Sequence, residues 1–157
     1  MILTLEQLTG IRKVLKEKNK KVVFTNGCFD ILHSGHIDYL SKAKNLGDVL
    51  IVGVNSDVSV KSIKGNKRPI VNEKDRAFIL SNLKPVDYVI MFDEDTPAEL
   101  INKIIPDILV KGADWAIENI VGKDVVEKNG GEVKTINIVN DSSTSKIINT
   151  ILERYAH

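Results

Sequence analysis

The chain is 157 residues long, 43% hydrophobic and 27% charged, which suits one domain with a buried core and excludes an intrinsically disordered segment. Its net charge of +1 excludes a global positive field of the kind that draws nucleic acid or anionic membrane. The single cysteine, Cys28, fits a reducing compartment; no basic-then-apolar leader and no run of roughly 20 apolar residues occurs, so a cytoplasmic protein is expected.

Thr4 and Gln7 read as a capping box, and Leu5, Leu8, Ile11 and Leu15 follow at helical spacing. A first strand is expected over 21–25, closed by the turn signal Asn26-Gly27. Helical spacing returns from Ser34 to Leu46 and stops at Gly47. The nearly continuous apolar run 48–54 reads as a strand covered on both faces, and a polar stretch follows from Asn55 to Pro69. Asn72 caps a helix that runs to Leu83 before Pro85, and a third strand covers 86–92. Thr96 and Glu99 suggest a second capping box. A fourth strand spans 107–110, a helix 123–128, a fifth strand 132–139 and a last helix 144–155.

Strands alternating with helices through short connections imply βαβ units. The expectation is an α/β fold: one Rossmann-like domain over 1–157, with a short helix at about 4–18 before a core at about 21–157. Its five-stranded parallel sheet carries helices on both faces.

In such sheets ligands bind beyond the carboxyl ends of the strands. The segment after the first strand, Thr25 to His36, therefore draws attention. It places His33 and His36 around Gly35 at a helix start, where free N–H groups and the positive dipole end favour phosphate. Gly35 allows close approach of a ligand, and imidazoles can stabilise developing negative charge. A metal pair is the weaker reading, because no third His lies nearby in the sequence.

The run GCFDILHSGH resembles the HxGH signature of the nucleotidyltransferase superfamily. The likeness continues through DVLIVGVNSD, KSIKGNKRP, the Arg76 helix, FDEDTP, LVKGAD and NGGEV. These runs are similar to the adenylyltransferase branch of ADP-heptose synthesis, and the length suits its stand-alone form. Ala113 and Trp115 stand where that branch leads one to expect Gly and Tyr.

The resemblance implies that His33 and His36 hold the triphosphate and stabilise charge at the α-phosphorus, with Lys61 and Arg68 on phosphate or departing pyrophosphate. Lys64 is a weaker candidate for the same task. Thr25, Asn26, Gly27, Phe29, Asp30 and Gly35 would form the nucleotide pocket with Lys111, Gly112 and Asp114. Ser143, Thr144 and Ser145, together with Ser142, would form a second phosphate-binding element at the last helix. Asn55, Asp57 and Arg76 would contact the sugar phosphate, whereas Cys28 would be a small filler. ATP is the implied co-substrate, with magnesium (Mg2+) carried on its phosphates rather than in a protein metal site. The partners implied are ATP, a small sugar phosphate and a second copy of the chain, paired near Val86 to Val89. Glycerol-3-phosphate with CTP, FAD synthesis and a non-catalytic nucleotide-binding module are the rival readings.

Overall fold

The computed structural model describes residues 1–137 and 143–155. Its elements run α1 (Leu5–Glu17), β1 (Val22–Gly27), α2 (Ser34–Lys44), β2 (Val49–Asn55), α3 (Asp57–Lys64), α4 (Glu73–Ser81) and β3 (Tyr88–Phe92). They continue with α5 (Ala98–Ile104), β4 (Ile108–Gly112), α6 (Lys123–Lys128), β5 (Glu132–Ile136) and α7 (Thr144–Tyr155). The strands form one parallel sheet in the order β3-β2-β1-β4-β5.

Burial explains why the central strands are apolar throughout. Leu50, Ile51, Val52 and Val54 of β2 are all inaccessible to solvent, because helices cover the sheet on both sides. On one face Tyr39, Leu40 and Ala43 of α2 and Ala77 and Leu80 of α4 pack on Val23, Val52 and Val110. On the other, Leu8 of α1, Ile101 and Ile104 of α5 and Val126 of α6 pack on Val22, Phe24, Ile51 and Leu109. Truncating Leu40 to alanine is expected to lower stability by about 2–5 kcal/mol, read as a shift in the denaturation midpoint.

Two helix starts form by local chemistry alone. Thr4 and Gln7 make the reciprocal capping box of α1, and Asn72 accepts the Asp75 amide at α4. The Thr96–Glu99 box does not form: α5 begins at Ala98 behind Pro97, with no side-chain cap, and Thr96 faces a cavity instead. The polar stretch after β2 contains α3, whose Ser56 cap accepts the Ser59 amide. Periodicity hides this helix, since it buries only Ser59 and Val60. Asn26 and Gly27 extend β1 instead of turning, in register with Gly53 and Val54. Helix α2 ends on Asn45. Gly47 answers a different need, because a Cβ there would lie 2.8 Å from both the Lys21 carbonyl and Val23. Described strand β5 ends at Ile136, and residues 138 and 139 of its expected range lie outside the described residues.

β3 is an edge strand, but its outer side is partly paired. The Leu3 amide donates to the Val89 carbonyl and the Val89 amide to the Met1 carbonyl, both at 2.9 Å. Pairing of two copies through main-chain bonds at Val89 would have to displace residues 1–3. Among the described residues no helix is long and apolar enough to cross a membrane.

Candidate active site

The strand order reverses between β1 and β4, so the gap above their carboxyl ends is the switch point where ligands settle in such sheets. A cavity of about 490 Å³ lies there. It is lined by Asn26 and Gly27 from β1 and Lys111 from β4, by Phe29, Asp30 and His36, by Lys64 and Arg68, and by Thr144 and Ser145 of α7.

His33 is the N-cap of α2 and His36 its third residue, and helical spacing brings such residues onto one face. Their ring centroids are 3.9 Å apart, and the Phe29 ring meets His36 edge-on at 5.4 Å. Burial, followed by the neighbouring His33 ring, pushes the His36 pKa down to about 4; burial also lowers that of His33. Both rings are therefore neutral at pH 7. Nδ1 of each is buried without a hydrogen-bond partner among the described residues, as is Oδ1 of Asn26. Such orphans are costly unless a ligand meets them, and two of the three residues, Asn26 and His36, line this cavity.

Lys111 reaches from β4 beneath the β1 loop, its Nζ 3.4 Å from the Asn26 carbonyl and 5.7 Å from the Trp115 ring centre. Burial pulls its pKa down to about 8. Helix α7 is tied to the histidine loop by the Thr144 hydroxyl, which donates to the Ile31 carbonyl at 3.3 Å.

The cavity wall unites Asn26, Gly27, Phe29, Asp30, His36, Asn55, Arg68, Lys111, Asp114, Thr144 and Ser145 from the sequence-derived set. Gly112 borders an adjoining recess of about 170 Å³, and His33 stands against His36. Gly35 is buried in the first turn of α2. Ser143 lies off the cavity, its hydroxyl accepting the Lys146 amide, and Ser142 is outside the described residues.

Besides Ser143, four expected contacts are placed differently. Thr25 is fully buried, and its hydroxyl is spent on the Tyr39 hydroxyl at 2.7 Å. Lys61 is exposed and off the cavity wall, which takes Lys64 instead, because α3 turns its Ser59–Val60 side inward. Arg76 is buried at 1% exposure. It donates to the carbonyls of Val71, Cys28 and Asn55 and to the Asp57 carboxylate, at 2.6–2.9 Å. It is a clamp between loops, and it takes up Oδ1 of Asp57, a residue expected to contact the sugar phosphate. Cys28 sits on the wall with its thiol pKa raised by burial, which suits a filler and not a nucleophile.

Asp95, Thr96 and Pro97 also border the cavity, as do Trp115 and Ile120. The signal for the first three was present: they follow β3 at the same carboxyl edge that marked the other loops.

Residues 24–150 match the cytidylyltransferase-like family model. The chain is 53% identical over 150 residues to the bifunctional protein HldE of Syntrophotalea carbinolica, covering 96% of this chain and 31% of that protein. It is 54% identical over 148 residues to the protein of the same name from Campylobacter concisus, covering 94% and 30%. The chain thus spans under a third of the length of these curated relatives. A lipopolysaccharide core biosynthesis protein from Thermoplasma volcanium superposes with a TM-score of 0.64 at 35% identity, covering 78% of this chain and 99% of that one. Pantoate-beta-alanine ligase from Francisella tularensis shares the fold at a TM-score of 0.62 and 16% identity, covering 98% of this chain and 78% of that one. Since the family model takes in well over half of its residues, the chain belongs to the cytidylyltransferase-like family.

Proposed function

We propose that the chain is a nucleotidyltransferase that transfers AMP from ATP to a heptose 1-phosphate, giving an ADP-heptose and pyrophosphate. The observation that carries this reading is the close imidazole pair at the switch point, His36 lining the cavity and His33 against it, with both Nδ1 atoms unpartnered among the described residues. The family match and the HldE relatives support it, and the sugar comes from the sequence resemblance described above.

The nucleophile is a phosphate oxygen that is already ionised at neutral pH, so no strong general base is needed. Catalysis then rests on positioning and on stabilising charge. His36, with His33 beside it, supplies donors for the oxygens at the α-phosphorus, Lys111 sits below, and Lys64 and Arg68 receive the departing pyrophosphate. Thr144 and Ser145 face the triphosphate from the α7 side. Asn26 Oδ1, an acceptor only, selects a donor on the substrates. Among the described residues no three His, Cys, Asp or Glu side chains converge as a metal cage. Magnesium belongs to the proposal only as an ion carried on the ATP phosphates. A cytoplasmic place of action and a homodimer complete the reading.

The test is pyrophosphate release from ATP or CTP with magnesium and a panel of heptose 1-phosphate anomers, glycerol-3-phosphate and FMN. Release with ATP and a heptose 1-phosphate is expected. Release only with CTP and glycerol-3-phosphate, or only with FMN, would overturn the substrate assignment and keep the roles of the histidines. Nucleotide binding without release from any pair would favour a binding module.

Lys111 makes the binding step pH-dependent in a defined direction. Its ammonium is charged below about pH 8 and loses its proton above it, so ATP affinity is expected to weaken as pH rises from 7 to 9. Binding at pH 8.5 should take up a proton, because bound phosphate favours the charged amine. Calorimetry in two buffers of different ionisation heat measures this uptake. Lys111→Arg should flatten the profile, whereas a wild-type profile already flat from pH 7 to 9 contradicts the assignment.

A further inference from the structure

Asp30 is buried, 3% exposed overall with its side chain fully covered, and a carboxylate in that position must be met by donors. Among the described residues all of its donors come from one distant segment. Oδ1 accepts the amides of Ile70 and Val71 at 2.8 Å each, and Oδ2 accepts Nε of Arg68. The carboxylate therefore ties the histidine loop to the cation-bearing loop that follows α3. It sits just after Phe29, whose φ of 47° is in the left-handed region, a costly conformation for a bulky residue that fixes the local turn.

Arg68 meets Asp30 through Nε alone. Among the described residues its two terminal nitrogens bond to no acceptor, and the residue lines the cavity at 18% side-chain exposure. A guanidinium is a rigid planar fork, so holding one edge on a carboxylate sets the direction of the other. Burial alone would raise the Asp30 pKa, but the Val71 and Ile70 amides and Arg68 outweigh it and hold the group below the usual carboxylate range. The anchor is thus an anion at neutral pH.

We infer that Asp30 is a positioning residue: it holds the Nε edge of Arg68 so that the terminal nitrogens form a fixed, charged donor pair for the leaving pyrophosphate. This rests on the phosphate-transfer reading above. Lys64, on the same wall, has no such anchor among the described residues and supplies charge without fixed direction.

A double-mutant cycle tests it. Binding of inorganic pyrophosphate and the kinetics of pyrophosphate release are measured for wild type, Asp30→Asn, Arg68→Ala and the double variant, each with its melting curve. Asp30→Asn and Arg68→Ala are each expected to weaken pyrophosphate binding and lower kcat/KM by about 10- to 100-fold. The double variant should be no worse than Arg68→Ala. Arg68→Lys, which keeps the charge but cannot serve both partners, should resemble Asp30→Asn, and adding Asp30→Asn to it should cost nothing more.

Losses that multiply in the double variant would overturn the inference, as would an Asp30→Asn protein that melts and binds like wild type. Wild type that binds no pyrophosphate overturns it together with the functional reading. If no substrate pair releases pyrophosphate but the binding cycle is non-additive as described, the functional reading fails and the positioning role stands.

Discussion

Replacing His36 by alanine is expected to lower kcat for pyrophosphate release by ~10²–10³, the usual cost of removing one donor from a preorganised charge-stabilising site. The ring is neutral at pH 7, its pKa pushed down to about 4 by burial and by His33. On the proposed reading it would act as an oriented donor whose interaction strengthens as negative charge builds, and kcat should fall more than KM changes. A tenfold rise in KM with kcat intact would instead make His36 a ground-state contact and remove it from the chemistry.

The same low pKa has a stability consequence that needs no substrate. Between about pH 6.5 and 4 the unfolded chain takes a proton on this imidazole that the folded chain refuses. Stability is then lost as pH falls through that window. His36→Ala should flatten this part of the stability profile, read by chemical denaturation at several pH values. An unchanged acid slope would mean that the ring is more open to water than its packing against Phe29 and His33 indicates.

Arg76→Ala carries the largest expected loss of stability, about 3–5 kcal/mol, the range for breaking a buried charged network by removing one partner. It strands three carbonyls and the Asp57 carboxylate and leaves a void beneath the site. At about 2 °C per kcal/mol for a chain of this size, the melting temperature should drop by at least about 6 °C. Arg76→Lys keeps the charge but cannot reach four acceptors in three directions, so it should recover only part of the loss. A melting temperature within a degree of wild type for Arg76→Ala would mean the clamp holds nothing. The exposed Lys123–Glu127 pair is the contrast: it joins one helix turn at the surface, and removing it should barely move the melt.

What the sequence determined by itself follows from rules that operate within a few residues. The Thr4 and Asn72 caps depend on hydrogen bonds spanning three positions, and the pairing of His33 with His36 depends on helical spacing. The apolar run of β2 announces a strand covered on both faces, and the alternation of strands and helices implies a parallel sheet with its site at the carboxyl edge. Only the tertiary structure decided which charges face the cavity. Lys64 rather than Lys61 lines it, because the roll of α3 is set by Ser59 and Val60 against the body of the protein. Arg76 and Asp57 face each other because two loops converge on a guanidinium that water cannot reach. Asp30 and Arg68 lie 38 positions apart, and no local pattern links a buried anion to its cation across that span. A charged residue reads the same in sequence whether water or a carboxylate surrounds it; the cost of burying it unpaired makes the choice, and that cost exists only once the chain has folded.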